Sequence, residues 1–459
     1  MITEEILLPL LPESIYSRLA PHLPWLQWLD GAHSKNENER RSIWVWDPAE
    51  ICVPPDWEYR QTQSPHGARQ WSGTVQRCEN PFSYMKQSLR AFKKKRNTGY
   101  SGWYGIAGYE LGMSLLSVPI SQQKKSGMKT GNPFWFGRYE NILCYDPAQK
   151  KYFLTVHGEL EKEKFFSSID SSGAQDEAKL SGDREPNFFL FPFSLFPKEE
   201  REHYRKQVSR IREEIAQGNV YQVNYTTRFQ GKTDASPQEI FNVLREKSPV
   251  PYAALWNTGQ YFVFSLSPEL FLKGQGKSVI SRPIKGTVER SENHAEDEAR
   301  KTQLLSNAKD RAELLMIVDL VRNDLGHVCV PGSVQVPELF GVESYSTVHH
   351  LVATISGELA ADHDLVDAFC ALFPAGSIVG APKIAAARLI DALEIEERRF
   401  YTGAVGYFLD SGECLFNVAI RTFTLEKNLF TAYSGGGIVI DSDPEDEYRE
   451  LCAKIQYLF

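Results

Sequence analysis

The chain has 459 residues, 42% of them hydrophobic and 24% charged, an ordinary composition for two or three globular domains or one large sandwich. Its 51 basic and 59 acidic residues leave a formal charge of −8, which argues against the basic face that bulk nucleic-acid binding requires. No apolar run reaches the ~18 residues of a membrane span, and Met1–Glu5 carries two acids and no base, unlike a secretory leader.

Residues 1–160 are rich in Trp, Tyr and Phe, with strand-like runs such as Ile43-Trp44-Val45-Trp46. The polar stretch 162–187, inside a boundary region taken as 161–190, reads as a surface loop or linker. Over 198–217, Tyr204, Val208, Ile211 and Ile215 fall at i, i+4, i+7 and i+11, which predicts an amphipathic helix stopped by Gly218. A strand follows over Val220–Thr227. Residues 261–266 and 277–281 read as further strands, and 295–322 as a helix. Residues 403–409 and 415–424 alternate as a hairpin across Asp410-Ser411-Gly412, and 444–458 form a helix with Pro444 near its first turn. The elements lack a βαβ rhythm. They predict an α+β fold of two packed, mainly antiparallel β-sheets surrounded by helices, with 1–160 supplying its N-terminal part and 191–459 the remainder.

The seven cysteines (Cys52, Cys78, Cys144, Cys329, Cys370, Cys414 and Cys452) are scattered and never form a CxxC pair. Neither a disulfide framework nor a zinc site is expected, and the cytoplasm is. Gly412-Glu413-Cys414-Leu415-Phe416 lacks the last glycine of an amidotransferase nucleophile elbow and sits in a hairpin, so it carries no glutaminase.

Several stretches could carry chemistry. In Pro283-Ile284-Lys285-Gly286-Thr287 a hydrated cation sits in an apolar flank. Lys285 there either snorkels to water or is held as an amine nucleophile. Glu447 and Glu450 share a face of the last helix, and Glu313 lies on another. They are either a solvated surface or part of a Mg²⁺ site, since Mg²⁺ takes one or two protein carboxylates. Gly435-Gly436-Gly437 is either a turn or a backbone that something must approach closely. Gly376–Lys383 offers a hydroxyl, amides and a cation before a helix at Ile384–Leu393, as an anion contact or a capped loop. His349-His350 is either a core pair or catalytic. Arg421, in a strand after Val418-Ala419-Ile420, needs a partner, and a substrate carboxylate is one candidate.

Taken in order, these stretches resemble the chorismate-utilising enzymes, the family of anthranilate, aminodeoxychorismate, isochorismate and salicylate synthases. The resemblance rests on Ser265–Phe271, Pro283–Thr287, Asp310–Glu313 continuing to Asp319–Asp324, His350-Leu351-Val352 and Gly376–Lys383. It continues through Tyr401–Tyr407, Gly435–Val439 and Glu447-Tyr448-Arg449-Glu450, with looser matches at Leu19–Trp25 and Gly105–Gly112. It implies an anthranilate synthase component I-like fold with 191–459 as its chorismate-binding catalytic region.

Lys285 stands where anthranilate synthases carry alanine, so within the family the stretch resembles the members that make aminodeoxychorismate. Their route adds the lysine amine at ring carbon 2 and expels the carbon-4 hydroxyl. Ammonia then adds at carbon 4 and the lysine leaves. Isochorismate synthases need a lysine base elsewhere to activate water, and no match stands out here. The resemblance implies Lys285 as nucleophile and Glu269 as general acid/base. It implies Mg²⁺ on Glu313 and Glu450, with Glu447 acting directly or through water. Chorismate would be bound by Arg421, Tyr401, Ser377, Lys454 and the amides of Gly436 and Gly437. His350 matches a position linked to aromatisation in anthranilate synthases, a step absent from the aminodeoxychorismate route. Ammonia would come from a separate glutamine amidotransferase subunit. The feedback pattern for tryptophan is not clear around Leu8–Ser14.

Overall fold

The computed structural model describes residues 2–8, 10–23, 25–31, 34, 40–55, 73–93, 99–121, 133–170 and 198–456. Among these residues the strands form two eleven-stranded sheets, antiparallel throughout except where Glu50–Val53 runs parallel to Thr74–Arg77. The first sheet runs in the order Ile2–Ile6, Lys151–Val156, Asn141–Asp146, Ser42–Trp46, Gln27–Asp30 and Tyr252–Asn257. It continues with Phe262–Ser267, Thr422–Glu426, Leu429–Ile438, Gln222–Lys232 and the short Gly380–Ala381. The second joins Ile284–Glu289, Val348–Glu358, Ser278–Arg282, Leu270–Gln275, Glu413–Val418 and Ala404–Leu409. Beyond these lie Gly102–Ala107, Phe134–Tyr139, Glu50–Val53 and Thr74–Arg77, while Gln335–Ser344 pairs beside Val348–Glu358.

Both sheets draw strands from both ends of the sequence. Gln27–Asp30 pairs with Tyr252–Asn257, and Gly102–Ala107 pairs with Ala404–Leu409. The faces meet through large side chains: Trp135 of the second sheet packs edge-on against Trp256 of the first at 5.9 Å. Gln27 Nε2 also donates to the Tyr139 hydroxyl across the gap at 3.1 Å. Burying such apolar area contributes ~25 cal/mol per Å² removed from water. The helices lie outside; Tyr204, Val208 and Ile211 of Lys198–Ala216 are buried as the spacing predicts, and Gly218 follows at φ 79°. No helix among the described residues is long and apolar enough to cross a membrane.

Four expectations are corrected. The helix over 295–322 is two helices, His294–Ser306 and Ala308–Gly326. Asn307 separates them in an extended conformation, and its side chain accepts the Lys309 and Asp310 amides, capping the second. The strand over 415–424 is broken, because Glu413–Val418 belongs to the second sheet and Thr422–Glu426 to the first. The chain changes sheets at 419–421, with Arg421 at φ 47°. The stretch 162–187 begins as the helix Glu159–Asp170, which buries Phe165 and Ile169 at i, i+4; residues 171–187 lie outside the described residues. The strand expected over Val220–Thr227 starts at Gln222 and reaches Lys232. The last helix is Pro444–Gln456, and 457–458 lie outside the described residues. All seven cysteines are free thiols, Cys52 Sγ lying 2.9 Å from Cys78 Sγ.

Candidate active site

Lys285 owes its position to the glycine after it. Along the pair of Ile284–Glu289 with Val348–Glu358, Lys285 lies opposite Leu351 and Thr287 opposite His350, so Gly286 is an extra, bulged residue. Its φ is 73°, and a Cβ there would lie 2.8 Å from Asp310 Cγ, so only glycine fits. From the bulge the Lys285 ammonium reaches helix Ala308–Gly326, 3.8 Å from Glu313 Oε2, and the Ser377 carbonyl at 3.4 Å.

Glu269 sits at a point where the chain changes sheets, between Phe262–Ser267 of the first and Leu270–Gln275 of the second. Another such change, at 419–421, lies beside it: the Val418 amide donates to the Glu269 carbonyl and the Leu266 amide to the Arg421 carbonyl. Paired crossings thus hold Glu269 between the sheets at 4% exposure. Burial pushes its carboxyl up to about 7, against the pull of the Ser377 hydroxyl, the Lys285 charge and the Ile284 amide. The Ser377 hydroxyl donates to Glu269 Oε1 at 2.6 Å. One residue, Ser377, therefore touches both Glu269 and Lys285.

The glycine run is the floor of the cleft. It lies inside the strand Leu429–Ile438 rather than in a turn, with Gly437 opposite Asn224 and Gly436 opposite Tyr225. A Cβ at Gly436 would meet Glu447 Oε2 at 3.1 Å. One at Gly437 would meet Gln222 Nε2 at 2.1 Å and Lys285 Nζ at 3.4 Å. Helix Pro444–Gln456 brings Glu447 and Glu450 to this floor. Ser442 Oγ donates to Glu447 Oε1 at 2.7 Å, and Lys454 holds Glu450 Oε1 at 2.7 Å and the Gly435 carbonyl at 2.9 Å.

The three glutamates surround one cleft without converging on a point; among the described residues no group of three or more His, Cys, Asp or Glu is gathered for a metal. Mg²⁺ does not need such a group, since it keeps water and takes ligand oxygens. The carboxylate oxygens are the hard donors it prefers. Burial raises the Glu313 and Glu447 carboxyls, and the Glu450 charge adds to both. Lys454 is the chief cause lowering Glu450. Lys285 lies 3.8 Å from Glu313, Lys309 4.0 Å from Glu447 and Lys454 2.7 Å from Glu450, so three cations face the three glutamates, and the charge of Asp310, which also raises Glu313, leaves the acids in excess by one. A dication fits there.

Arg421 lies at the sheet crossing, not in a central strand; its guanidinium donates to Ser248 Oγ at 3.2 Å. Its charge, after burial, lowers the His350 imidazole to about 3, so His350 is neutral, with Nδ1 2.8 Å from Thr287 Oγ1. His349 is held in the core by Asp297 and Ser344. Tyr401 stacks on Tyr433 at 5.3 Å, on the strand that carries the glycines. The Gly376–Lys383 loop is a short helical turn, Gly376–Val379, and the following helix starts at Lys383. Its cation is not offered to an anion: Lys383 Nζ is buried on Asp324 Oδ2 and the Leu372 carbonyl.

Sequence reasoning missed Gln222 and Asp310. Gln222 is 1% exposed, donates to Glu313 Oε2 at 3.2 Å, and its carbonyl oxygen has no hydrogen-bond partner among the described residues. A glutamine set between Val220-Tyr221 and Val223 at the start of a strand was the signal available. Asp310 lies three residues before Glu313 on the same helix face, spacing that would have found it.

The sequence profile of the chorismate binding enzyme family matches residues 42–459. The chain belongs to that family. This chorismate binding enzyme is 32% identical over 448 residues to aminodeoxychorismate synthase component 1 of Escherichia coli, covering 96% of this chain and 94% of that one. It is 42% identical over 328 residues to aminodeoxychorismate synthase component 1 of Bacillus subtilis, covering 70% and 68%. Among solved structures, anthranilate synthase component I from Streptococcus pneumoniae matches with a TM-score of 0.73 at 25% identity, over 91% of this chain and 92% of that one.

Proposed function

We propose that this chorismate binding enzyme is component I of an aminodeoxychorismate synthase, converting chorismate and ammonia to 4-amino-4-deoxychorismate, a precursor of p-aminobenzoate and folate. The observation that carries the reading is the double contact of Ser377, whose carbonyl receives Lys285 Nζ and whose hydroxyl holds Glu269. Nucleophile and acid are thereby held on one hinge of backbone.

The Lys285 ammonium first gives a proton to water, to be regained on release, and the free amine attacks ring carbon 2, forming a C–N bond. The ring double bonds shift and the carbon-4 C–O bond breaks. Glu269, with its carboxyl raised to about 7 by burial, gives its proton to the leaving hydroxyl, which departs as water. Ammonia then bonds to carbon 4, the double bonds shift back, and the carbon-2 C–N bond breaks to release Lys285. Glu269 takes the proton that the added nitrogen sheds.

Arg421, Lys454, Tyr401 and the amides of Gly436 and Gly437 bind the substrate carboxylates and enolpyruvyl ether. Neutral His350 lines the same side. A Mg²⁺ ion on Glu313 and Glu450, with Glu447 directly or through water, would neutralise a substrate carboxylate. The component 1 relatives support a partner subunit, a glutamine amidotransferase supplying ammonia. The seven free thiols suit the reducing cytoplasm.

The second reading is anthranilate synthase component I, favoured by the structural likeness to that enzyme from Streptococcus pneumoniae. The test incubates the purified chain with chorismate, Mg²⁺ and ammonium at mildly alkaline pH and identifies the product by mass spectrometry, with Lys285→Ala in parallel. An aminodeoxychorismate mass, lost in the variant, is expected. Anthranilate with pyruvate from the unaltered chain would overturn the proposal in favour of the second reading.

A further inference from the structure

Behind the cleft lies a fully buried ion pair that touches none of the proposed reacting groups. Arg398 is 1% exposed and Glu394 is buried with it. Arg398 Nε donates to Glu394 Oε2 at 2.9 Å, and Nη2 donates to Glu394 Oε1 at 2.6 Å. The plane of the guanidinium lies over the Tyr109 ring at 4.5 Å. A buried ion pair adds little stability over an apolar pair of the same shape, so its retention calls for another explanation.

The remaining donors supply one. Nη1 donates to the Ile378 carbonyl at 2.8 Å and to Thr402 Oγ1 at 3.4 Å, and Nη2 to the Asn224 carbonyl at 2.6 Å. Each acceptor is a close neighbour of a residue in the cleft. Ile378 follows Ser377. Thr402 follows Tyr401, whose own amide donates to the Arg398 carbonyl. Asn224 lies two residues beyond Gln222 and directly opposite Gly437. Glu394 extends the frame, accepting from the Thr226 amide at 2.9 Å and the Thr226 hydroxyl at 2.8 Å. The backbone of Arg398 is itself anchored, since its amide donates to Glu110 at 2.8 Å.

We propose that Arg398, oriented by Glu394, is a positioning residue: one guanidinium ties together the Ser377 turn, the Tyr401 segment and the strand facing Gly437, and so sets the geometry between Lys285 and Glu269. The inference rests on Lys285 and Glu269 being the reacting pair. The planar fork is essential to it. A lysine ammonium keeps the charge opposite Glu394, but it is a compact point donor and cannot reach both the Ile378 and Asn224 carbonyls.

The test compares Arg398→Lys and Glu394→Gln with Arg138→Lys. Arg138 belongs to an equally buried pair, with Asp410 Oδ2 at 2.7 Å, that joins the strand Phe134–Tyr139 to the turn after Leu409. Three quantities are read on the full chain: kcat and KM with chorismate, Mg²⁺ and ammonium; the melting temperature; and the titration of Glu269. The last is followed by the carboxyl ¹³C shift of glutamate-labelled protein and assigned with Glu269→Gln. Arg398→Lys is expected to lower kcat about ten- to a hundredfold with a smaller change in KM. Loosening the Ser377 turn weakens the hydroxyl that lowers Glu269, so its titration should move up by about one pH unit. Arg138→Lys should lower the melting temperature only. Glu394→Gln keeps the guanidinium and should act as Arg398→Lys does, so it serves should the latter not fold.

Equal losses of melting temperature in Arg398→Lys and Arg138→Lys, with kcat and the Glu269 titration unmoved, would reduce Arg398 to a structural residue. If the unaltered chain makes no aminodeoxychorismate, the proposed function fails on its own. The Glu269 titration still decides whether Arg398 positions the Ser377 turn.

Discussion

Replacing Glu269 by glutamine removes a charge from a place that disfavours it. The Glu269 carboxyl rises from 4.5 to about 7 because it is buried. Below pH ~4.5 both the native and the unfolded chain hold this proton, and the site costs nothing. Between ~4.5 and ~7 the unfolded chain releases the proton while the native chain keeps it, so stability falls as pH rises. Above ~7 the native chain carries a buried carboxylate at full cost. At ~1.4 kcal/mol per pH unit, the interval corresponds to about 3 kcal/mol. An unfolding entropy of ~2.1 cal/mol/K per residue over 459 residues turns that into about 3 °C. Glu269→Gln, which cannot ionise, is expected to melt at a temperature that rises against the unaltered chain by about that much between pH 5 and pH 8. Glu110, also pushed to about 7 by burial, titrates in the same window in both proteins and cancels in the difference. The measurement is a series of thermal melts across the pH range, and its slope carries the test, because the amide changes the fixed hydrogen bonding to Ser377 and Ile284 equally at every pH. Turnover by the same variant should fall by ~10²–10⁴. A difference that is flat with pH, or that shrinks, would refute the assignment of a proton to Glu269 at neutrality.

The two cleft glycines should respond unequally. Gly437→Ala places a methyl 2.1 Å from Gln222 Nε2 and 3.4 Å from Lys285 Nζ, and is expected to cost about a hundredfold in kcat/KM. In Gly436→Ala the nearest atom is Glu447 Oε2 at 3.1 Å, so the loss should be smaller, and equal losses would contradict the close approach at Gly437. Lys383→Met leaves Asp324 buried without its cation and should lower stability by ~3–5 kcal/mol in urea unfolding. An unchanged midpoint would argue that Lys383 is not held as a structural ion pair.

Elements whose period was unbroken could be read from the chain. The helix Lys198–Ala216 and the hairpin around Asp410-Ser411-Gly412 needed only local spacing. Two errors had signals that were present. Asn307 is a poor helix interior residue and a good cap, and Phe165 with Ile169 forms a helical pair inside a polar stretch. The sheet crossing at 419–421 had no such signal. Val418-Ala419-Ile420 is buried or nearly so on either side of the break and reads as one apolar strand, because both sheets supply the same apolar environment. The candidate site depends on such crossings. Residue types suggested a nucleophile, an acid and carboxylates, and the family resemblance grouped them. The physical links, Ser377 between Lys285 and Glu269 and Gly437 against Gln222, join positions about 90 to 215 residues apart, beyond any local pattern.

The interleaving of the sheets bears on how the chain is made. Ala107 pairs with Ala404, about 300 residues later. At the ~5–20 residues per second of synthesis, the strand Gly102–Ala107 waits ~15–60 s on the ribosome before its partner exists. During that interval one of its hydrogen-bonding edges stays open, and such edges are templates for pairing with other chains. Folding must therefore be largely post-translational, dominated by distant contacts and slow for its size. A nascent chain stalled before residue 404 should be a substrate for chaperones rather than a folded half.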